Sequence, residues 1–218
     1  MTITLPEELL LLAYHDETGR NKSSFIDYGL AGAVLMELVL AERLDLVDKR
    51  VNVVNATPLG DPILDECLAR IGADKRRKAQ HWVTKLTKLR PRLLETLEAK
   101  GIIRHRQDRV LGLLPFNRYL PVDGRTEEAT LVAALTRMVD AGSATDARLA
   151  SLGSLVYAIG IEHVVFPDRK RSAVRKTLKG ISAGDWASSA TIAAIQAAQA
   201  AIAAAVTAST VAATSSGG

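Results

Sequence analysis

Cysteine is almost absent. Cys67 stands alone, so no internal disulfide can form. That excludes a disulfide-stapled scaffold and suits a reducing cytoplasm. Histidine is scarce too: His15, His81, His105 and His163 are scattered, and none has a partner at metal-ligand spacing. Asp61, Asp65 and Glu66 form a carboxylate group with no histidine beside it. Gly29-x-x-Gly32 is not a phosphate loop, because the following lysine and hydroxyl of G-x-x-x-x-G-K-[ST] are missing. No internal repeat of fixed period occurs. These absences predict a non-enzymatic protein with no cofactor and no metal. The opening run, MTITLPEELLLLAYHDE, has neither a basic region nor a cleavage site, so no signal peptide is expected.

What is present is apolar residues, 48% of 218, enough for a core in one domain. Ser23 to Leu46 reads as a long helix running into a strand. Its apolar positions, Phe25, Leu30, Val34, Leu35, Leu38 and Val39, recur near the helical period on more than one side. Such a helix is enclosed by others. Ser23 or Ser24 is the expected cap. Gly29 and Gly32 cost about 1 kcal/mol each inside a helix, which predicts close approach of a backbone or a ligand. Thr4-x-x-Glu7 is a capping box opening a helix to Tyr14. Leu44–Val47 and Val51–Val54 read as a hairpin around Asp48-Lys49. Further helices are expected over 63–71, 80–86, 89–100, 126–141, 146–159 and 168–178, with Ser143 or Thr145 capping the fifth of these. Gly101 suits the end of the helix before it. Ile102–Arg106 and Arg109–Leu114 read as a second hairpin turning at Gln107-Asp108. The alanine-rich tail from Ala187 puts Ile192, Ile195, Ile202 and Val206 on one stripe. Its glutamines and weak hydropathy argue against a spanning helix. The expected fold is mainly α: a bundle-like helical core with one or two small β-hairpins, in a single domain over 1–212 and a disordered tail over 213–218.

Net charge is only +4 but unevenly placed. Lys85, Lys88, Arg90 and Arg92 gather at the start of one helix, Arg104, Arg106 and Arg109 on the hairpin, and further blocks lie at 75–78 and 169–179. Clustered arginine and lysine suit a phosphate-bearing partner. Val110, Leu111, Leu113, Leu114 and Phe116 are too apolar for an exposed turn; they fit a core, a contact between copies, or an anionic bilayer interface. A rival exists. Helix Leu89–Lys100 followed by two strands is the order of a winged helix, with Arg104–Arg109 as the wing on nucleic acid.

Gly29-Leu30-Ala31-Gly32, Leu35-Met36-Glu37-Leu38 and Glu42-Arg43-Leu44 resemble the signature of the Golgi phosphoprotein 3 family. So do Leu5–Leu12, NATPLGDPILDECL (55–68), RPRLLETLEAKGII (90–103) and Asp146–Tyr157, in the family's order. The resemblance implies a mainly helical, cytoplasmic, peripheral membrane protein that reads phosphatidylinositol 4-phosphate. It also implies an apolar β-hairpin, here Ile102–Phe116, that meets the membrane or joins copies into an oligomer. Arg90 matches one headgroup arginine, and Lys88 stands beside Thr87 as a substitute for another. Ala31 replaces a third, and Ile26 or Lys22 falls where the family has tryptophan. The expected headgroup residues are therefore Arg90 and Lys88, and the inserting residues Leu111, Leu113, Leu114 and Phe116. The expected partner is an anionic phospholipid surface, with cytoplasmic tails of membrane proteins as a further possibility and nucleic acid as the rival. The alanine-rich composition suits a bacterial member.

Overall fold

The computed structural model describes residues 3–14, 18–47, 50–110, 114–124, 126–184 and 189–215. Helix α1 (Leu5–Ala13) opens as its capping box dictates: the Thr4 amide and hydroxyl donate to Glu7 Oε2 at 2.6 and 2.9 Å. It packs on α2 (Ile26–Leu40), which lies at the centre with Leu30, Ala31, Ala33, Val34, Met36 and Leu38 fully buried. The serine cap expected there is not made. Ser23 Oγ instead accepts from the Phe25 amide at 3.2 Å, and Asn21 Oδ1 takes the Ser23 amide, so the loop closes on itself just before the helix. A left-handed residue, Glu42, turns the chain from α2 into β1 (Leu44–Val47). That strand pairs antiparallel with β2 (Arg50–Val53).

Helix α3 (Pro62–Ala73) is capped by Asp61, whose Oδ1 accepts from the Ile63 and Leu64 amides. Next come α4 (Ala79–Lys85) and α5 (Arg90–Ala99). Pro91 lies in the first turn of α5, where its missing amide costs nothing, so it starts the helix rather than interrupting it.

The second hairpin is longer than expected. Strand β3 (Ile103–Val110) pairs with β4 (Leu114–Pro121) from Ile103↔Pro121 to Val110↔Leu114. Gln107 and Asp108 are therefore mid-strand, opposite Asn117 and Phe116, and the ladder continues to Val110 and Leu114. A two-residue hairpin turn wants residues at ease with positive φ, which Gln-Asp does not supply. Side chains also extend the ladder: Asp108 bridges Arg106 (2.8 Å) and Arg118 (3.1 Å), and His105 meets Asn117 at 3.0 Å.

Helix α6 (Glu127–Ala141) leads to α7 (Ala147–Ile159), α8 (Glu162–Val165) and α9 (Arg171–Ile181). The cap of α7 is Asp146, which accepts from the Leu149 amide at 2.8 Å. Thr145 does not cap; its hydroxyl donates to Asp146. The last helix, α10 (Ser189–Ser215), includes a stretch, Thr191–Ala212, long and apolar enough to cross a membrane by length and composition. In this fold its Ile195 and Ile202 side is buried, and it packs on α2, α4 and α7. This contact also explains the central glycines. A Cβ on Gly32 would collide with Ile202, and one on Gly29 would lie 2.7 Å from Ile159 Cγ2. Side chains, not a backbone or a ligand, fill the space those glycines leave.

The fold is mainly helical, with two two-stranded antiparallel sheets among the described residues.

Candidate functional site

The start of α5 meets the start of α2 across a shallow groove of about 420 Å³, lined by Ser24, Asp27, Tyr28, Thr87, Lys88, Arg90 and Pro91. Lys88 is exposed and holds φ +76 in the α4–α5 turn. A left-handed lysine costs roughly 1–2 kcal/mol in backbone energy, so the turn spends stability to keep this residue there. It has no ion-pair partner among the described residues. Arg90 is half-buried, and its Nε stands 3.6 Å from Asp27 Oδ1. That spacing is beyond a hydrogen bond, so the guanidinium keeps capacity for an anion.

Arg90 also forms the edge of a second groove, about 380 Å³, on its other side. Tyr14, Gly19, Arg20, Asn21, Pro91, Leu94, Asn117 and Tyr119 complete the lining. Strand β4 reaches this place because it is clasped to the 18–21 loop. The Tyr119 amide donates to Gly19 O at 3.1 Å, and Arg118 Nε to Thr18 O at 2.8 Å. Only glycine fits at 19: its φ is +60, and a Cβ would lie 2.7 Å from the Tyr119 nitrogen. The Tyr119 ring stacks on His105 at 4.9 Å and meets Tyr14 edge-on at 5.8 Å.

Of the predicted residues, Lys88 and Arg90 are therefore brought together. Leu114 and Phe116 belong to the first half of β4. Leu111 and Leu113 lie outside the described residues. The other basic clusters are largely matched by acids. Arg92 pairs with Glu66 (2.6 Å), Arg104 with Asp123 (3.5 Å), Arg77 with Asp74 (3.6 Å), Arg169 with Asp140, and Arg171 and Arg175 with Glu162. A hairpin whose Arg104 and Arg106 face Asp123 and Asp108 is a poor wing for nucleic acid. Sequence reading missed Asp27, Arg20, Tyr14, Asn117 and Tyr119, which come from segments far apart in the chain. Ala31, at a family arginine position, is fully buried in α2, and Thr87 lines the first groove beside Lys88.

Among the described residues no group of three or more His, Cys, Asp or Glu is placed to hold a metal ion. Burial pushes the Cys67 thiol up to about 11, so it stays protonated and inert at neutral pH.

Fold and grooves together define a helical scaffold with an open, cation-edged surface and a long hairpin beside it. The chain matches the family model of Golgi phosphoprotein 3 (GPP34) over residues 5–198, and it belongs to that family. It is 28% identical over 130 residues to the vacuolar protein sorting-associated protein 74 of Eremothecium gossypii, covering 47% of this chain and 39% of that protein. It is 29% identical over 136 residues to the protein of the same name from Schizosaccharomyces pombe, covering 50% and 40%. The match thus spans about two fifths of the length of these relatives.

Proposed function

We propose that this protein docks on anionic phospholipid membranes as a non-enzymatic peripheral protein. Lys88 and Arg90 take the headgroup phosphate. The apolar residues between β3 and β4 in the chain and at the start of β4, Leu111, Leu113, Leu114 and Phe116, enter the bilayer interface. The observation that carries this is the cation pair at the start of α5: Lys88 is exposed and held in a costly backbone conformation, and Arg90 is only loosely engaged by Asp27. Hairpin geometry supports it. From Asn117 at the groove to Leu114 is three residues, about 10 Å of strand, similar to the depth of about 5–10 Å at which interfacial segments sit. The family resemblance points to phosphatidylinositol 4-phosphate.

Vesicle co-sedimentation at near-physiological salt tests the reading. Vesicles carrying anionic lipid should retain the protein, and neutral ones should not. Arg90→Ala should release it, because a charge-assisted bond of about 1.5–3 kcal/mol is lost. No retention on any vesicle would overturn the proposal.

A further inference from the structure

Helices α6 and α7 leave a groove of about 390 Å³ between them, within the range of small-molecule sites. It shares no lining residue with the two grooves beside Arg90. Its walls are apolar by helical spacing: Leu131, Ala134 and Met138 follow one face of α6, and Leu149 and Leu152 come from α7. The groove also reaches a buried set of charges, because Glu8 and Arg148 belong to its lining. Arg148 is occupied. Its three nitrogens donate to Glu8, to Glu37 and to Ile3 O. Glu37 is occupied too, by Arg148 and by the Leu5 amide. Glu8 differs from both. It is only 7% exposed, and of its two carboxylate oxygens Oε1 alone is taken, by Arg148 Nε at 3.0 Å. Its Oε2 accepts no hydrogen bond from the described residues. One guanidinium thus serves two carboxylates, and Asp146 at the start of α7 adds a third to the groove. A buried charge without full compensation is costly, and a bound cation relieves that cost.

We propose that this groove binds a small organic amine, with its ammonium on Glu8 Oε2 and its apolar body between Leu131, Met138, Leu149 and Leu152. The site is independent of the membrane reading above. A cation fits better than an anion, because the buried group with capacity left is a carboxylate. The groove's other cation, Arg137, is solvent-exposed on a flexible stem, and an anion there gains only a surface contact. The apolar walls favour a hydrocarbon body over a polyamine. Met138 adds a thioether, which suits an aromatic ring.

Phenethylamine is the probe, with phenethyl alcohol as its neutral match and hydrocinnamate as its anionic one. Methionine methyl NMR is the readout, and the chain has three methionines. Met138 lines the groove, while Met36 is buried in α2 and serves as an internal control. Titration with phenethylamine should move the Met138 signal and leave that of Met36 in place. The amine should bind about tenfold more tightly than the alcohol, the share of a charge-assisted hydrogen bond. Hydrocinnamate should bind more weakly than either. Glu8→Gln removes the charge while an amide oxygen still faces Arg148, and should bring the amine within about twofold of the alcohol. Ala134→Trp fills the groove from α6 and should abolish the binding of all three. Ala134 is only half-buried, so this variant tests the site even if Glu8→Gln fails to fold. An alcohol that binds as tightly as the amine, or a hydrocinnamate that binds more tightly, would overturn the proposal. So would a preference for the amine that survives Glu8→Gln, or a Met138 shift that survives Ala134→Trp. A Met138 signal unmoved by millimolar phenethylamine would overturn it outright.

Discussion

Around Arg148 three residues close on one guanidinium, whereas around Arg90 a single carboxylate approaches no nearer than 3.6 Å. Arg148 donates to Glu8 Oε1 at 3.0 Å, to both oxygens of Glu37 at 3.0 and 3.1 Å, and to Ile3 O at 2.9 Å. Beside it Lys100 Nζ lies 2.7 Å from both oxygens of fully buried Glu7. These charges tie α1 to α2, α5 and α7, and their hydrogen-bonding capacity is largely used. The Arg90–Lys88 edge has the same charge on weaker tethers. A charge saturated by protein partners holds a fold together, and one left under-coordinated at the surface is available to a ligand. Counting basic residues along the chain does not separate the two; their partners do.

The largest effect should come from breaking the saturated set. Arg148→Ala strands Glu8 and Glu37 with no cation at hand. The cost should be about 3 kcal/mol, the low end for a broken buried pair because the arginine is partly exposed. For a chain of this size that lowers Tm by roughly 6–12 °C. A thermal melt of Arg148→Ala beside Arg90→Ala checks it. The second variant should melt within about 2–4 °C of wild type, since an exposed pair contributes at most about 1 kcal/mol. Equal losses in both would erase the distinction.

Lys88→Gly sharpens the comparison from the other side. Glycine accepts the left-handed turn without strain, and this offsets its greater freedom in the unfolded chain, so stability should stay within about 0.5 kcal/mol. Binding to anionic vesicles should drop about fivefold, the share of one basic residue near a charged surface. Asp27→Asn should act in the opposite direction. Freed from its carboxylate, Arg90 should bind anionic vesicles about threefold more tightly, an effect on the scale of an exposed ion pair.

The elements were legible where the signal is local. Periodicity marked α2, α6 and α7, Asp48-Lys49 fell between β1 and β2, and Gly101 closes α5 at φ +66. Local signals misplaced what tertiary contacts decide. Gln107 and Asp108 lie inside the β3–β4 ladder rather than at its turn, because cross-strand pairs at Asp108 and Asn117 outweigh the apparent break at Gln107. Gly29 and Gly32 were read as room for a backbone or a ligand, but Ile159 and Ile202 side chains fill it. In the candidate site, Lys88 and Arg90 were visible because they are neighbours in a basic run. Tyr14, Arg20, Asn117 and Tyr119 were not, because they meet only through the clasp of Tyr119 on Gly19, about a hundred positions apart in the chain.

The smallest expected effect concerns proton linkage in the saturated set. Burial is the main influence on Glu8 and raises its pKa above the usual 4.5, against the pull of Arg148. A carboxyl with a raised folded pKa binds its proton more tightly folded than unfolded. Its contribution is therefore fully present below 4.5 and is lost as pH rises through the folded value. Glu8→Gln keeps an acceptor for Arg148 and removes the titration. With denaturant midpoints measured on either side of that window, the stability of wild type relative to Glu8→Gln should fall as pH rises. A pH dependence identical in wild type and Glu8→Gln would mean that Arg148 fully offsets the burial of Glu8.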